Sequence, residues 1–325
     1  VLSDQHAPRT AAAIVARMAK RIDASEEGTP KTFGLIKKGF PWSGYITSRL
    51  QLSMWALVAM GEGLKDTAPQ IGELAKTVGP TVEQRTMPFI ALGMSGASNA
   101  WSEMLKAFQE INPNERADFI TPLVYAVEPE HLEQWDKVIG KDKSEGTVRA
   151  IADPTIVARL NVVRQCKGAT DAAPDDKAKL MALGNCYMGF LKTGDNLAKE
   201  KAAIGLLHLA AKGVDVIGPL LDAFQKSKTS DTTLRQVLMA GLKMRAEIRH
   251  MPAIYKVQQL QVQVANNVTW IWEFDILLGH LLSQLEAVKA AQDAAKAAPA
   301  GAPAAGGQPA AAPAGGQPAA AGAGK

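Results

Sequence analysis

Apolar residues recur at intervals of three and four along most of this chain, and almost no window alternates apolar with polar residues over the length of a strand. This spacing places apolar side chains on one face of a helix, whereas a half-buried strand needs a period of two. With 47% hydrophobic residues in 325, the chain also has enough apolar material for a core. We therefore predict an all-α protein.

Short turns of Gly, Asp, Ser and Thr separate the predicted helices of the central region. Repeated helical hairpins with short connections are typical of an α-solenoid or an irregular bundle. No fixed period can be written down, so we predict an irregular α-solenoid of the armadillo or HEAT kind. The predicted regions are an N-terminal helix and wrapping segment at 1–42, a helical-repeat body at 43–252, one long helix at 253–298 and an Ala/Pro/Gly-rich tail at 299–325.

Two features of the body make sharper predictions. The pattern from Val82 to Gln109 indicates one helix, in which Pro88 lacks a backbone N–H beyond the first turn and favours a kink or break. In the same segment, Gly93 and Gly96 are small enough to let two helices approach closely. Further along, the Asp153-Pro154 pair is typical of an N-cap and a first-turn proline, and it predicts the start of a helix.

The segment from Ala253 to Ala298 contains no proline and a single glycine. We therefore predict one long helix, which at about 1.5 Å per residue would extend roughly 70 Å. Its middle is apolar nearly all round, so it must be covered by the rest of the chain or by another subunit. The side chains predicted to contact a partner are Trp270, Trp272, Phe274, Leu278, Leu282 and Leu285, together with Phe33 and Phe40 in the wrapping segment.

The C-terminal tail contains the sequence GGQPAAA twice, at Gly306–Ala312 and Gly315–Ala321. A segment of Ala, Pro and Gly cannot bury a core, so we expect a disordered, linker-like tail. The alternative is an extended arm that becomes ordered only by lying along a partner.

Motifs for nucleotide and haem chemistry are missing: the sequence contains no Walker A loop, GxGxxG, HExxH, EF-hand loop or CxxCH. The histidines show no arrangement of nucleophile and base. We therefore predict no catalytic residue, cofactor, metal or small-molecule substrate. The surplus of 36 Lys and Arg over 32 Asp and Glu is spread along the chain, which gives no support for nucleic-acid binding.

Two Glu-x-x-His pairs, Glu128 with His131 and Glu247 with His250, each place a carboxylate and an imidazole on one helix face. A carboxylate-bridged di-metal bundle uses two such pairs and one further carboxylate from each of two other helices. Both pairs sit at helix ends, so the pattern favours solvated side chains there, with a di-metal oxidoreductase as an alternative. The further carboxylates of such a site would be Glu103 and Glu200.

Charged residues elsewhere in the body are interpreted as solvated helix faces. The groups so interpreted are Lys199–Lys201 and the four cations Arg235, Lys243, Arg245 and Arg249. An acidic partner for the four cations is the alternative.

The longest charge-free runs outside the tail repeatedly contain Ser, Asn or Gln, so we predict no direct membrane span.

Two cysteines, Cys166 and Cys186, are too few for a disulfide framework and lack the CxxC spacing of a zinc site. We expect two buried thiols, with a bridge between them as the alternative. At the N-terminus, the acid-poor segment Gln5–Ile22 carries four Lys or Arg residues, as organelle-import segments do. An ordinary amphipathic first helix explains these residues better, and we expect processing or trimming upstream of Val1.

The start at Val1, the helical body from Ser43 to Arg249, the long helix from Ala253 and the Ala-rich GGQPAAA tail together give the chain a recognisable overall character. In this it resembles the ATP-synthase-associated subunits that build the peripheral stalk of the chlorophycean algal mitochondrial ATP synthase. The resemblance implies a non-catalytic stator subunit on the matrix side of the inner membrane, with other protein subunits as partners. A soluble helical-repeat adaptor is the alternative.

Overall fold

The computed structural model describes residues 7–19, 49–78, 80–264 and 267–297. Every regular element in these residues is a helix or helical turn, which confirms the all-α, repeat-like fold predicted from the apolar spacing. The chain divides into two units, residues 1–284 and 285–325. The described part of the second unit is the end of the last helix.

The first seven helices lie before residue 140. The predicted wrapping segment, including Phe33 and Phe40, lies outside the described residues. The helices are α1 (Ala7–Ala19), α2 (Arg49–Val58), α3 (Ala68–Lys76), α4 (Val82–Ser95), α5 (Ala100–Glu110), α6 (Ile120–Ala126) and α7 (Leu132–Gln134), with 3₁₀ turns at Gly61–Leu64, Arg116–Phe119 and Pro129–His131 and a π turn at Trp135–Ile139.

Eight more helices follow. Asp153 caps one of them by accepting a hydrogen bond from the backbone N–H of Thr155 at 2.8 Å, which confirms the predicted N-cap. These helices are α8 (Glu145–Ile151), α9 (Pro154–Asp171), α10 (Asp176–Thr193), α11 (Asn196–Ala211), α12 (Ile217–Lys226), α13 (Thr232–Arg245), α14 (Met251–Val262) and α15 (Val268–Ala297), with a 3₁₀ turn at Ile248–His250.

Two stretches of the chain contain the same order of elements, α3 to α7 and α10 to α14, and we call them the first and second repeats. In each, the second helix begins at a side-chain N-cap, Thr81 or Asp195, that accepts from the backbone N–H three residues later. Within two residues of its end, the same helix is followed by a glycine with positive φ, Gly96 at 72° or Gly213 at 87°. Glycine is favoured there because it lacks the Cβ that makes this conformation costly.

The third helices carry the matching sequences LKAFQ at Leu105–Gln109 and LDAFQ at Leu221–Gln225. An arginine from the following segment lies over each phenylalanine: Arg116 at 5.4 Å from the ring of Phe108, and Arg235 at 4.7 Å from that of Phe224. Each guanidinium also donates to the carbonyl oxygen three residues after its phenylalanine. Equivalent residues are 114 to 119 positions apart, and this drift hides the repeat from a search for a fixed period.

The predicted helix from Val82 to Gln109 is broken, but not at Pro88. α4 runs through Pro88, and the chain leaves the helix at Gly96 before α5 begins. The close approach predicted for the glycines is confirmed. A Cβ on Gly93 would lie 2.5 Å from the carbonyl oxygen of Pro122 on α6, and one on Gly96 would lie 2.7 Å from Cα of His208 on α11.

The prediction of one continuous helix over 253–298 is wrong, because α14 ends at Val262 and α15 begins at Val268. Asn267 stands just before α15, and its side-chain amide donates to the carbonyl oxygen of Gln261 at 3.1 Å and to its Oε1 at 2.7 Å. The buried Arg235 donates to both of these side chains, to Oδ1 of Asn267 at 3.0 Å and to Oε1 of Gln261 at 3.2 Å. Arg235 therefore fixes the break between the two helices.

The cysteine prediction is also wrong, because Cys166 on α9 and Cys186 on α10 form a disulfide. The two helices are consecutive and pack against each other, which brings the buried Cys166 beside the partly buried Cys186. The spacing of the two cysteines in the sequence did not indicate a disulfide, because the turn between the helices sets the distance between them. In the described residues, no helix is long and apolar enough to cross a bilayer.

Candidate functional site

The largest group of buried charges lies where the second repeat packs on the first. Glu128 follows α6 at the end of the first repeat and is 3% exposed. Its carboxylate accepts hydrogen bonds from Nδ1 of His208 at 2.7 Å and from the hydroxyl of Tyr187, and Nζ of Lys201 lies 3.5 Å away. All three partners belong to α10 and α11 of the second repeat. We call these four residues the Glu128 junction.

Both ring nitrogens of His208 face acceptors. Nδ1 faces the carboxylate of Glu128, and Nε2 lies 2.9 Å from the carbonyl oxygen of Gly93 on α4. Both hydrogen bonds form together only when both nitrogens carry a proton, so the geometry fits the cationic imidazolium. His208 therefore connects α11 to two separate elements of the first repeat.

Lys201 is completely buried and reaches the C-terminal end of α6. Its Nζ donates to the carbonyl oxygens of Tyr125 at 2.9 Å and Val127 at 2.7 Å. Carbonyl groups at the end of a helix carry partial negative charge and lack partners inside the helix. The ammonium therefore satisfies these carbonyls while it faces Glu128.

A second buried pair lies beside the junction. Both oxygens of Glu200 on α11 lie 3.2 Å from Nη2 of Arg159 on α9, and Oε1 also accepts from the hydroxyl of Tyr125 at 2.8 Å. The guanidinium of Arg159 lies 5.5 Å from the centre of the Tyr125 ring. The neighbours Glu200 and Lys201 thus bring opposite charges to the same surface of the first repeat.

Burial and pairing act against each other on the pKa of Glu128. Burial raises it, but Lys201, His208 and the Tyr187 hydroxyl favour the carboxylate and lower the pKa to about 2. Burial lowers the pKa of Lys201, and Glu128 opposes that shift. Burial and the adjacent carboxylate raise the pKa of Tyr187. These buried, mutually paired groups hold two repeats together, and the arrangement resembles no nucleophile–base pair.

The structure corrects two predictions about these residues. Glu128 and the neighbours Glu200 and Lys201 are buried, whereas the sequence suggested solvated side chains. A usable signal was present: the ten residues of α11 that follow Lys201 are apolar apart from His208, which is typical of a fully buried helix. Arg235, assigned to solubility, is buried as well.

The two Glu-x-x-His pairs form capping boxes at 3₁₀ turns. The backbone N–H of Glu128 donates to Nδ1 of His131 at 3.2 Å, and that of Glu247 to Nδ1 of His250 at 3.0 Å. In the described part of the chain, no three His, Cys, Asp or Glu side chains are grouped as a metal site needs. Glu200 is bound by Arg159, and Glu103 is half-buried on α5. The geometry thus gives the di-metal alternative no support.

The residues predicted to contact a partner fall into two groups on α15. Trp270, Phe274 and Leu278 are buried within the chain, and the first two pack edge-on against Phe224 at 5.4 and 5.1 Å between ring centres. The outer group is exposed by about two fifths or more of each side chain. It consists of Trp272, Leu282 and Leu285.

A cleft of about 830 Å³ lies between α1, α2, α13 and α15. Its lining mixes apolar side chains such as Ile14 and Met244 with charged ones such as Lys65 and Asp66. The volume is within the range of small-molecule sites, but such sites are mostly apolar with a few convergent polar groups. The cleft therefore indicates no particular ligand.

No match for the chain is found among protein-family models, curated proteins or solved structures.

Proposed function

We propose that this chain is a non-catalytic structural subunit of a large mitochondrial membrane complex, namely a stator scaffold in the peripheral stalk of ATP synthase. The observation that carries the proposal is the apolar surface of α14, α15 and the residues next to them. Of the twelve large hydrophobic side chains that are exposed among the described residues of the first unit, seven lie between Tyr255 and Leu282. Concentrated apolar exposure of this kind is typical of a protein–protein contact.

The Glu128 junction supports the scaffold part of the proposal. A stator subunit must resist relative movement of its parts under load. Separating the two repeats would strip a buried carboxylate of its cations, and breaking one buried ion pair typically costs about 3–5 kcal/mol. The junction therefore opposes a hinge motion between the repeats.

The location on the matrix side of the inner membrane follows from the resemblance alone. The Cys166–Cys186 disulfide favours an oxidising compartment instead, because disulfides are rare where thiols are kept reduced. Alkylation of free thiols in denaturant, applied directly at isolation, separates the two locations, because Cys166 is buried in the folded chain. Two modified cysteines would support the matrix-side location, and none would move the proposed location to an oxidising compartment.

The central experiment is native-mass analysis of the protein after gentle extraction, with identification of the comigrating chains. We expect it to migrate with ATP synthase subunits. Replacing two exposed apolar residues by acid, Val262→Asp and Leu282→Asp, should release the chain from the complex. Met181→Asp on α10 is the matched control, because Met181 is also exposed and apolar but lies elsewhere. A wild-type chain that migrates alone at 34.5 kDa would contradict the proposal and favour the soluble adaptor.

A further inference from the structure

Glu128 and Glu247 occupy equivalent positions at the ends of the two repeats, but their surroundings differ. Each begins a 3₁₀ turn with the same Glu–His capping box. The Glu128 side chain is 5% exposed and bound by helices of the second repeat, whereas that of Glu247 is 63% exposed. Within the described residues, the ion pair of Glu247 is with Arg249, two residues later and equally exposed, at 3.0 Å.

The same contrast holds at the end of the second helix of each repeat. A Cβ on Gly96 would collide with the backbone of His208 at 2.7 Å, while the nearest atom to a Cβ on Gly213 is Nη2 of Arg245 at 3.8 Å. The carbonyl oxygen of Gly93 accepts from His208 of the other repeat. The equivalent carbonyl in the second repeat, that of Ala210, accepts from Arg245 of its own repeat.

The end of the second repeat therefore carries the same Glu–His capping box and positive-φ glycine that the first repeat presents to a helical pair, with Arg245 in place of the hydrogen bond from His208. Among the described residues, the 3₁₀ turn Gly61–Leu64 and α15 contact α13 at this end, at Met244 and Lys243, and no helical pair equivalent to α10 and α11 lies on it. We infer that this surface binds a helical hairpin of another polypeptide, which brings a cationic side chain to Glu247 as α11 brings Lys201 to Glu128. The inference rests on the proposed function, because it needs a partner subunit. We call the site the Glu247 surface, and it comprises Gly213, Asp215, Arg245, Glu247 and Arg249.

A second copy of this chain does not fit the Glu247 surface. If a second copy stacked in the same direction as the two repeats do, it would present α4 to this surface. When Gly96 is aligned with Gly213, the residues of α4 at the positions of Lys201 and His208 are Gln84 and Ala91. Neither carries a charge. Such head-to-tail contacts between copies also continue into open filaments unless the rotation closes. A different polypeptide with a lysine or arginine on its hairpin is the occupant that the repeat geometry specifies.

The present partner of Glu247 is no obstacle to binding. An exposed ion pair contributes little to stability, so Arg249 can give way to a cation that arrives with a desolvated interface. Once the interface covers it, the ion pair between Glu247 and the partner's cation would gain strength, because water is removed from around it. Binding would thus convert an exposed carboxylate into a buried, paired one, as at Glu128.

The test uses the tagged full-length chain, extracted gently and analysed by native mass. Glu247→Lys reverses the charge at the surface, and Glu145→Lys is the control, because Glu145 is also exposed and pairs with Arg149 on its own helix. We expect incorporation of the Glu247→Lys chain to fall on the order of tenfold or more, while the control incorporates normally. Where the partner's cation is a lysine, carbodiimide coupling of the wild-type complex should join Glu247 to that lysine.

The outcomes separate this inference from the proposed function. If wild type enters the complex and Glu247→Lys enters equally well, the inference is overturned and the structural role stands. If wild type migrates alone, both are overturned. A cross-link from Glu247 to a second copy of this chain would also overturn the inference, because the inference requires a different polypeptide at this surface.

Discussion

His208 donates a hydrogen bond at 2.7 Å to the carboxylate of Glu128, eighty residues earlier in the chain. The bond joins α11, in the second repeat, to the residue that begins the 3₁₀ turn after α6 in the first repeat. Both groups are buried, so neither can recover its lost hydration if the other is removed. The relationship makes the interface between the repeats selective for charge as well as for shape.

Neutralising Glu128 should therefore destabilise the protein strongly. In Glu128→Gln, Lys201 and His208 stay buried without their carboxylate, and loss of one partner of a buried pair typically costs about 3–5 kcal/mol. Glu247→Gln is the matched control, since the equivalent carboxylate is exposed and its loss should change the free energy of unfolding by no more than about 0.5 kcal/mol. Urea unfolding of the isolated chain measures both. Equal stability of the two variants would refute a stabilising role for the junction.

The junction also predicts a dependence on acid. The pKa of Glu128 is lowered to about 2 in the folded chain, below the ordinary value of 4.5. A depressed carboxyl pKa contributes stability that is complete above the unfolded value and is lost as the pH falls through the folded one. By pH 3 wild type should lose about 2 kcal/mol through this group, and Glu128→Gln should not. Comparing unfolding free energies of both proteins at pH 7 and pH 3 isolates the effect.

Local periodicity was sufficient to predict most of the helical fold, because each helix buries one stripe and has its own start and stop signals. The Asp153 cap and the close approach at Gly93 could both be predicted from such local signals. The Glu128 junction was not, because its members come from segments up to eighty residues apart and only tertiary packing brings them together. The apolar residues of α11 indicated a buried helix, but nothing in the sequence indicated which residues its charged side chains would bind.

The break between α14 and α15 shows a different limit. Proline and glycine are lacking across the break, so helix propensity alone favoured continuity. What stops the helix is a side-chain network in which Arg235, 26 residues before Gln261, binds both sides of the break. Asn267 was a usable signal, because asparagine is a favoured N-cap residue.

Reduction of the disulfide should lower stability measurably. The bond closes a loop of 20 residues between Cys166 and Cys186, for which loss of the cross-link costs about 3 kcal/mol in the chain-entropy treatment. We expect reductant to lower the urea midpoint of wild type. The double variant Cys166→Ala, Cys186→Ala should have a low midpoint that reductant does not change. A reductant effect on the double variant would show that it acts elsewhere.

Two helical glycines should respond in opposite ways to alanine. A Cβ on Gly93 meets the backbone oxygen of Pro122 at 2.5 Å, which no side-chain rotation can relieve, so Gly93→Ala should destabilise by about 1–3 kcal/mol. A Cβ on Gly189 in α10 meets nothing within 4 Å, and Gly189→Ala should stabilise by up to about 1 kcal/mol through helix propensity. Thermal unfolding of the two variants tests the pair, and the same sign for both would contradict the packing described at α4 and α6.

Arg235 should be irreplaceable even by lysine. Its guanidinium donates to Ser227, Gln261 and Asn267 at once and lies over Phe224, while burial lowers its pKa to about 10, so it remains charged near neutral pH. A lysine ammonium is a compact point charge that cannot reproduce this planar fork. Arg235→Lys should therefore cost at least about 2 kcal/mol, because buried acceptors lose their donors. Hydrogen exchange should accelerate first at the start of α15, because the Arg235 side chain fixes the orientation of α15 to α14.

Arg249→Lys, at an exposed position, is the control and should leave hydrogen exchange unchanged. Equal exchange in both variants would mean that Asn267 and Gln261 hold the break without Arg235.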